Sequence, residues 1–198
     1  MNYLAHAYLS FNHPEVLLGN MICDYVKGKK QYDFSHLVQS GIRLHREIDH
    51  FTDQHPVTKE MMQLFHPHYR LYSGAFVDIV YDYFLANDKD EFENDVVLMN
   101  FTQQTYSQLQ NHMQLFPAKF ALIFPYMVSQ NWLYYYQSDT GIQKSFNGLV
   151  RRSSYLKESD VAFKLFLDNK VFLKDRYNLF FKAVKNFAAC TLQELLKD

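Results

Sequence analysis

The sequence predicts an all-helical protein folded as one domain. Gly and Pro number only 6 and 5 in 198 residues, too few turn formers for a fold of many short strands. Apolar residues make up 48% of the chain, with 18 Phe and 15 Tyr, enough to fill one sizeable core. Apolar side chains also recur three and four residues apart over most of the chain, the spacing of one helix face. No repeat, low-complexity tract or linker interrupts this pattern, so a single helical bundle over 1–198 is expected. A net charge of −1 provides no basic field for nucleic acid. Cys23 and Cys190 form no zinc or redox spacing. No signal peptide is recognisable and no apolar run reaches about 18 residues, so a cytoplasmic protein without membrane insertion is expected.

In chain order, residues 2–10 read as a short helix, with His6 on an otherwise apolar face. Pro14 suits the first turn of the next helix, over 15–27, and Gly28 reads as its stop. In that helix Leu17, Met21 and Asp24 share a row, and Asn20 lies one turn before Asp24 on a neighbouring track. Lys27, Lys29 and Lys30 cluster at its end, where cations suit the helix dipole. They are either a solvated terminus or an anion-recognition edge. Ser35 is a candidate N-cap for a helix running to Asp53 and ended by His55-Pro56. A short helix over 57–65 should stop at His66-Pro67. Residues 69–86 form another helix. Then come a long helix over 90–115 and an apolar segment bracketed by Pro117 and Pro125 that continues through QNWLYYY. A turn or cap is expected at Asn147-Gly148, followed by helices over 155–167 and 171–196.

Two of these helices put charge where a core row should be apolar. In GIRLHREIDHFTD, the row Val38, Ile42, His45, Asp49, Thr52 stays on one face at about 100° per residue. In 69–86 the row is Leu71, Ala75, Asp78, Asp82, Leu85. An unpaired buried carboxylate costs several kcal/mol, and two like charges one turn apart repel. Arg43, Arg46 or Arg70 could pair with them, or a cation could sit between them. With Asp24 and His6 added, the pattern points to a shared polar site inside the bundle. Mixed His and carboxylate donors suit Mn²⁺, Fe²⁺ or Zn²⁺, and an oxygen-rich set leans toward Mn²⁺ or Mg²⁺. Such a site fits phosphoester hydrolysis.

The chain also resembles the acyl carrier protein phosphodiesterases. The resemblance is carried by NYLAH at 2–6, GNMICDYVKG at 19–28, GIRLHREID at 41–49 with TD at 52–53, and VDIVYDYFLA at 77–86. NWLYYY at 131–136 and NGLVRR at 147–152 match more weakly. The resemblance implies a helical fold related, in permuted order, to the HD-domain metal phosphohydrolases. It also implies hydrolysis of the phosphodiester that joins 4′-phosphopantetheine to a serine of holo-acyl carrier protein, with a divalent cation, typically Mn²⁺. Its polar motif positions here are His6, Asn20, Asp24, His45, Arg46, Asp49, Asp78 and Asp82. Where relatives commonly read D-H-F-L, this chain has Asp82-Tyr83-Phe84-Leu85.

The expected division of labour follows. Asp24, His45, Asp49 and Asp78 hold the metal, while Asp24, Asp82, Arg46 and Tyr83 serve the chemistry. Tyr83 would support the ligands from the edge of the site or donate to the leaving serine oxygen, rather than bind the metal. His6, Asn20, Lys27, Lys29, Lys30 and Arg152 contact substrate, the cations facing an acidic carrier surface. Two rivals share these residues: a metal phosphohydrolase of nucleotides or other small phosphodiesters, and a non-catalytic module that binds carrier protein.

Overall fold

The computed structural model describes residues 1–197, so the expected domain is described except for Asp198. The described residues contain eleven α-helices and no strand. These are α1 (Tyr3–Tyr8), α2 (Pro14–Ile22), α3 (His36–Gln54), α4 (Pro56–Tyr69), α5 (Ser73–Ala86), α6 (Asp95–Gln110), α7 (Ala118–Ser129), α8 (Trp132–Tyr135), α9 (Asp139–Arg152), α10 (Asp160–Asp168) and α11 (Lys170–Leu195). The all-helical expectation holds.

Helix α3 is the centre of the bundle. It packs most extensively on α2 and next on α11, while α1 lies against α2 and α5. The close α2–α3 contact has a local cause. A Cβ on Gly19 would fall 2.0 Å from the Val38 carbonyl oxygen, and one on Gly41 2.2 Å from that of Val16. The two backbones therefore touch where only hydrogen fits. The predicted α3 row is inward as expected: Val38, Ile42, His45 and Thr52 are buried, and Asp49 is half-buried. Ser35 caps the helix by accepting from the Val38 N–H, at 3.4 Å.

Several boundaries differ from expectation, each for a physical reason. Helix α2 ends at Ile22 and tightens into a 3₁₀ turn over Cys23–Tyr25, which carries Asp24 out to solvent. Helix α4 continues through Pro67 to Tyr69. Buried Phe65 and Tyr69 anchor its last turn, where a proline forfeits only one hydrogen bond. Leu71 falls in the 3₁₀ turn Arg70–Tyr72 and is 97% exposed, so the inward row of α5 begins after it. Helix α6 starts at Asp95, set by the Asn94 side chain accepting from the Val96 and Val97 N–H groups. Helix α7 passes through Pro125. Asn147-Gly148 lies inside α9, where burial of Ile142 and Phe146 outweighs their turn propensity. Helix α10 begins only at Asp160.

Candidate active site

The site forms where α1, α2 and α3 meet. His6, on α1, and His45, on α3, are buried and stacked face to face, with ring centroids 3.9 Å apart and planes 13° from parallel. Asp49 lies one turn beyond His45 and is shared between them. Its Oδ1 is 3.2 Å from His6 Nε2, and its Oδ2 is 3.1 Å from His45 Nε2. These three residues each offer a ligand atom, all within 4.8 Å of one another.

Asn20 ties the α1 backbone to the His45 ring. It is fully buried. Its Nδ2 donates to the His6 carbonyl (2.9 Å) and to Ser10 Oγ (3.1 Å), and its own carbonyl lies 2.8 Å from His45 Nδ1. With that carbonyl as acceptor, His45 carries a proton on Nδ1 and turns Nε2 to the site, the arrangement that orients a metal-ligating histidine. The sequence reading placed Asn20 and His6 with substrate. With Asn20 fully buried and His6 nearly so, Asn20 instead holds the site together and His6 belongs to the donor set.

The electrostatics match this packing. Burial would lower His45, but Asp24 and Asp49 hold its pKa up at about 9. His6 is pushed down to about 4 by burial and by its neighbour His45. Burial would raise Asp49, yet the Met1 amino group and the two histidines hold it well below the usual carboxylate range. That amino group lies 3.3 Å from Asp49 Oδ1 and 2.8 Å from Asp78 Oδ1. Asp78 thus joins the site through an ammonium and is raised by burial. Asp24 stands at the rim, its Oδ1 3.5 Å from His45 Nε2.

The donor set fits a divalent cation. Both ring nitrogens of buried His6 lack a hydrogen-bond partner, so Nε2 sits beside Asp49 without bonding to it. An imidazole left in that condition inside a protein is costly. Coordination through Nε2 would satisfy it, and His6, His45 and Asp49 would be the ligands.

Two expected chemical residues lie elsewhere. Asp82 is fully buried, and its oxygens accept from the Leu4 N–H (2.8 Å) and the Ala5 N–H (3.1 Å). It caps α1 from α5, and burial raises its pKa to about 7 against those two bonds. Asp82→Ala should therefore lower stability by roughly 1–3 kcal/mol for each buried N–H left unpaired. A thermal melt reads that loss, and an unchanged midpoint would refute the capping role.

Tyr83, one residue on, turns about 100° around α5. Its ring meets Phe84 and Phe166, with Lys170 Nζ 5.2 Å from the ring centroid. A cleft of about 510 Å³ opens there, lined by Asp88, Lys170 and Lys174 and by none of the histidine site. The role of proton donor to the leaving group finds no geometric support.

The basic residues stay outside. Lys27, Lys29, Lys30, Arg46 and Arg152 are all exposed. Arg46 Nη1 donates to Gln31 Oε1 at 2.7 Å, and Arg46 lies near Cys23, next to Asp24. Sequence reading passed over Tyr3 and Tyr25, whose hydroxyls meet at 2.6 Å beside Asp24. Both stood inside the stretches NYLAH and GNMICDYVKG, and the position of Tyr25 directly after Asp24 was the available signal.

The family described as acyl carrier protein phosphodiesterase matches residues 1–184 of the chain. This chain belongs to that family. Membership makes it a phosphodiesterase, a hydrolase. A protein of Photorhabdus laumondii named acyl carrier protein phosphodiesterase is 33% identical over 164 residues, 83% of each chain. One of Yersinia pestis with the same name is 34% identical over 152 residues, 77% of this chain and 79% of its own. A third, of Escherichia coli O127:H6, is 31% identical over the same shares. No solved structure matches the chain. Among the described residues no helix is long and apolar enough to cross a membrane.

Proposed function

We propose that this protein hydrolyses the phosphodiester linking 4′-phosphopantetheine to a serine of holo-acyl carrier protein, with a divalent cation, Mn²⁺ by preference and Mg²⁺ or Fe²⁺ as substitutes. The observation that carries the reading is the stacked His6–His45 pair sharing Asp49, in a chain whose relatives bear that name. When bound, the cation supplies Lewis acidity, neutralising phosphoryl charge and acidifying water.

The chain's own residues do the rest. The Asn20 carbonyl holds the His45 ring and stacking holds the His6 ring against it, so little reorganisation accompanies reaction. Asp24, the exposed carboxylate of the site, accepts a proton from the attacking water. Water oxygen bonds to phosphorus, the bond from phosphorus to the serine oxygen breaks, and that oxygen takes a proton from solvent while exposed Asp24 returns its own to solvent. The products are apo-carrier protein and free 4′-phosphopantetheine. Arg46 and Arg152 meet the phosphoryl group from the rim.

Mass spectrometry of holo-carrier protein incubated with this protein and Mn²⁺ tests the reading. Apo-carrier and free phosphopantetheine support it. Turnover of nucleotides alone, or binding without turnover, would replace it with a different hydrolase or a binding module.

In this reading the exposed Lys27, Lys29 and Lys30 meet an acidic carrier. Reversing all three to Glu should raise KM for carrier protein with kcat nearly unchanged. The effect should shrink with added salt, since exposed charges are screened within about 10 Å at 0.1 M. A salt-independent defect would place docking elsewhere.

A further inference from the structure

The cleft beside Tyr83 takes no part in the hydrolysis outlined above. It opens between the end of α5 with its following turn and residues 170–178 of α11, and its volume of about 510 Å³ is that of a small-molecule site. One wall is apolar and preformed. Phe84 and Tyr177 are buried with ring centroids 5.8 Å apart, and the half-buried Tyr83 ring stands edge-on to Phe84 at 5.2 Å. Phe166 packs against Tyr83 at 4.9 Å and Phe181 against Tyr177 at 5.1 Å, so the wall keeps its shape without a ligand.

The polar lining is lopsided. It holds Lys89, Lys170 and Lys174 against two carboxylates, Asp88 and Asp90. Asp88 is already satisfied: its Oδ2 accepts from the Tyr177 hydroxyl at 2.7 Å and its Oδ1 from the Asp90 N–H at 3.0 Å. Lys170 is anchored, with Nζ 2.5 Å from Asp139 Oδ1 and 5.2 and 5.0 Å from the Tyr83 and Phe166 ring centroids. Lys174 stands one turn further along the same face of α11, exposed, and pairs with no carboxylate among the described residues. Two cations at i and i+4 repel, and both stand near the end of α11 where the helix dipole disfavours positive charge. An anion in the cleft relieves both, and an aromatic body on that anion covers the apolar wall.

We propose that this cleft is a second binding site, for a small aromatic anion: its ring lies against Tyr83, Phe84 and Tyr177, and its carboxylate or phosphate is held by Lys170 and Lys174. The site stands apart from the histidine pair, and its occupancy is measured without reference to hydrolysis.

The probe is naphthoate, titrated by calorimetry at low salt into the full chain. Acetate, which has the charge without the ring, and naphthylmethanol, which has the ring without the charge, should each bind at least about tenfold more weakly. Lys174→Gln should weaken naphthoate binding roughly tenfold, the loss expected for a hydrogen bond between charged groups. Val171 also lines the cleft and is 78% exposed, so Val171→Glu sets a like charge beside the ligand and should abolish measurable binding. Lys119→Gln, on exposed α7, should change nothing. Lys174 and Val171 are both exposed, so the melting temperatures of their variants should match the wild type and separate a lost site from a lost fold. Added salt should weaken naphthoate binding, because Lys174 is open to solvent. No naphthoate binding by the wild type, equal binding of the three probes, or unchanged affinity in either cleft variant would overturn the proposal.

Discussion

Alanine at His45 should abolish the rise in melting temperature that Mn²⁺ produces in the wild type. A ligand that binds only the folded state stabilises it by about 2.7 kcal/mol at one hundred times its dissociation constant. For a chain of this size that corresponds to roughly 5–10 °C. His45 contributes one ring nitrogen to the donor set, while its other nitrogen is tied to the Asn20 carbonyl. Deleting it removes both the ligand and its orienting bond. His6→Ala should act in the same direction and also remove a buried imidazole with no hydrogen-bond partner. Without metal it should therefore be less damaging to the fold than its burial suggests. Asp49→Ala should do most harm, because the Met1 ammonium and His45 both turn charge toward that carboxylate and it is also one of the three ligands. Direct metal content after dialysis gives a second readout. If the His6 and His45 variants bind Mn²⁺ as wild type does, the donor set is misassigned.

The centre of this site was legible in the sequence because α3 is long and regular. A row spaced four and three residues apart must remain on one face, so His45 and Asp49 could be placed inward from spacing alone. Where the chain leaves regular helix, that reasoning fails. Asp24 fits an inward helical row, but the chain tightens to 3₁₀ geometry at Cys23 and the carboxylate reaches the rim. Asp82 is inward as expected, yet spacing says nothing about its partners, which are N–H groups about 80 residues earlier. The same blindness to tertiary contacts hid the stacking of His6 on His45: the sequence put His6 on an apolar face and in the shared site, but not ring to ring. Tyr83 shows the same limit: helical rotation sets it off the inward row, but spacing cannot say that its ring meets Phe166 of α10 and Lys170 of α11.

The contact between Gly19 and Gly41 links this local geometry to the whole fold, and Gly41→Ala should expose the link. Its new Cβ would lie 2.2 Å from the Val16 carbonyl oxygen and 3.0 Å from the Asn20 nitrogen. Both are backbone atoms, so no side chain can move aside, and α2 must shift away from α3. Overpacking of this kind typically costs 1–3 kcal/mol and occasionally more. Because the clash is with main chain, a loss near 3 kcal/mol is expected, or roughly 6–12 °C in melting temperature. The shift also draws the Asn20 carbonyl away from His45 Nδ1, a 2.8 Å bond that sets the imidazole's orientation. Mn²⁺ affinity should therefore fall in the surviving folded fraction, although residue 41 touches no ligand atom. Gly148→Ala is the matched control. It lies within α9 with no atom within 4 Å of an added Cβ, so better helix propensity should stabilise the protein by up to about 1 kcal/mol. A Gly41→Ala protein that melts with the wild type and holds Mn²⁺ equally well would show that the close approach of α2 and α3 does not position the site.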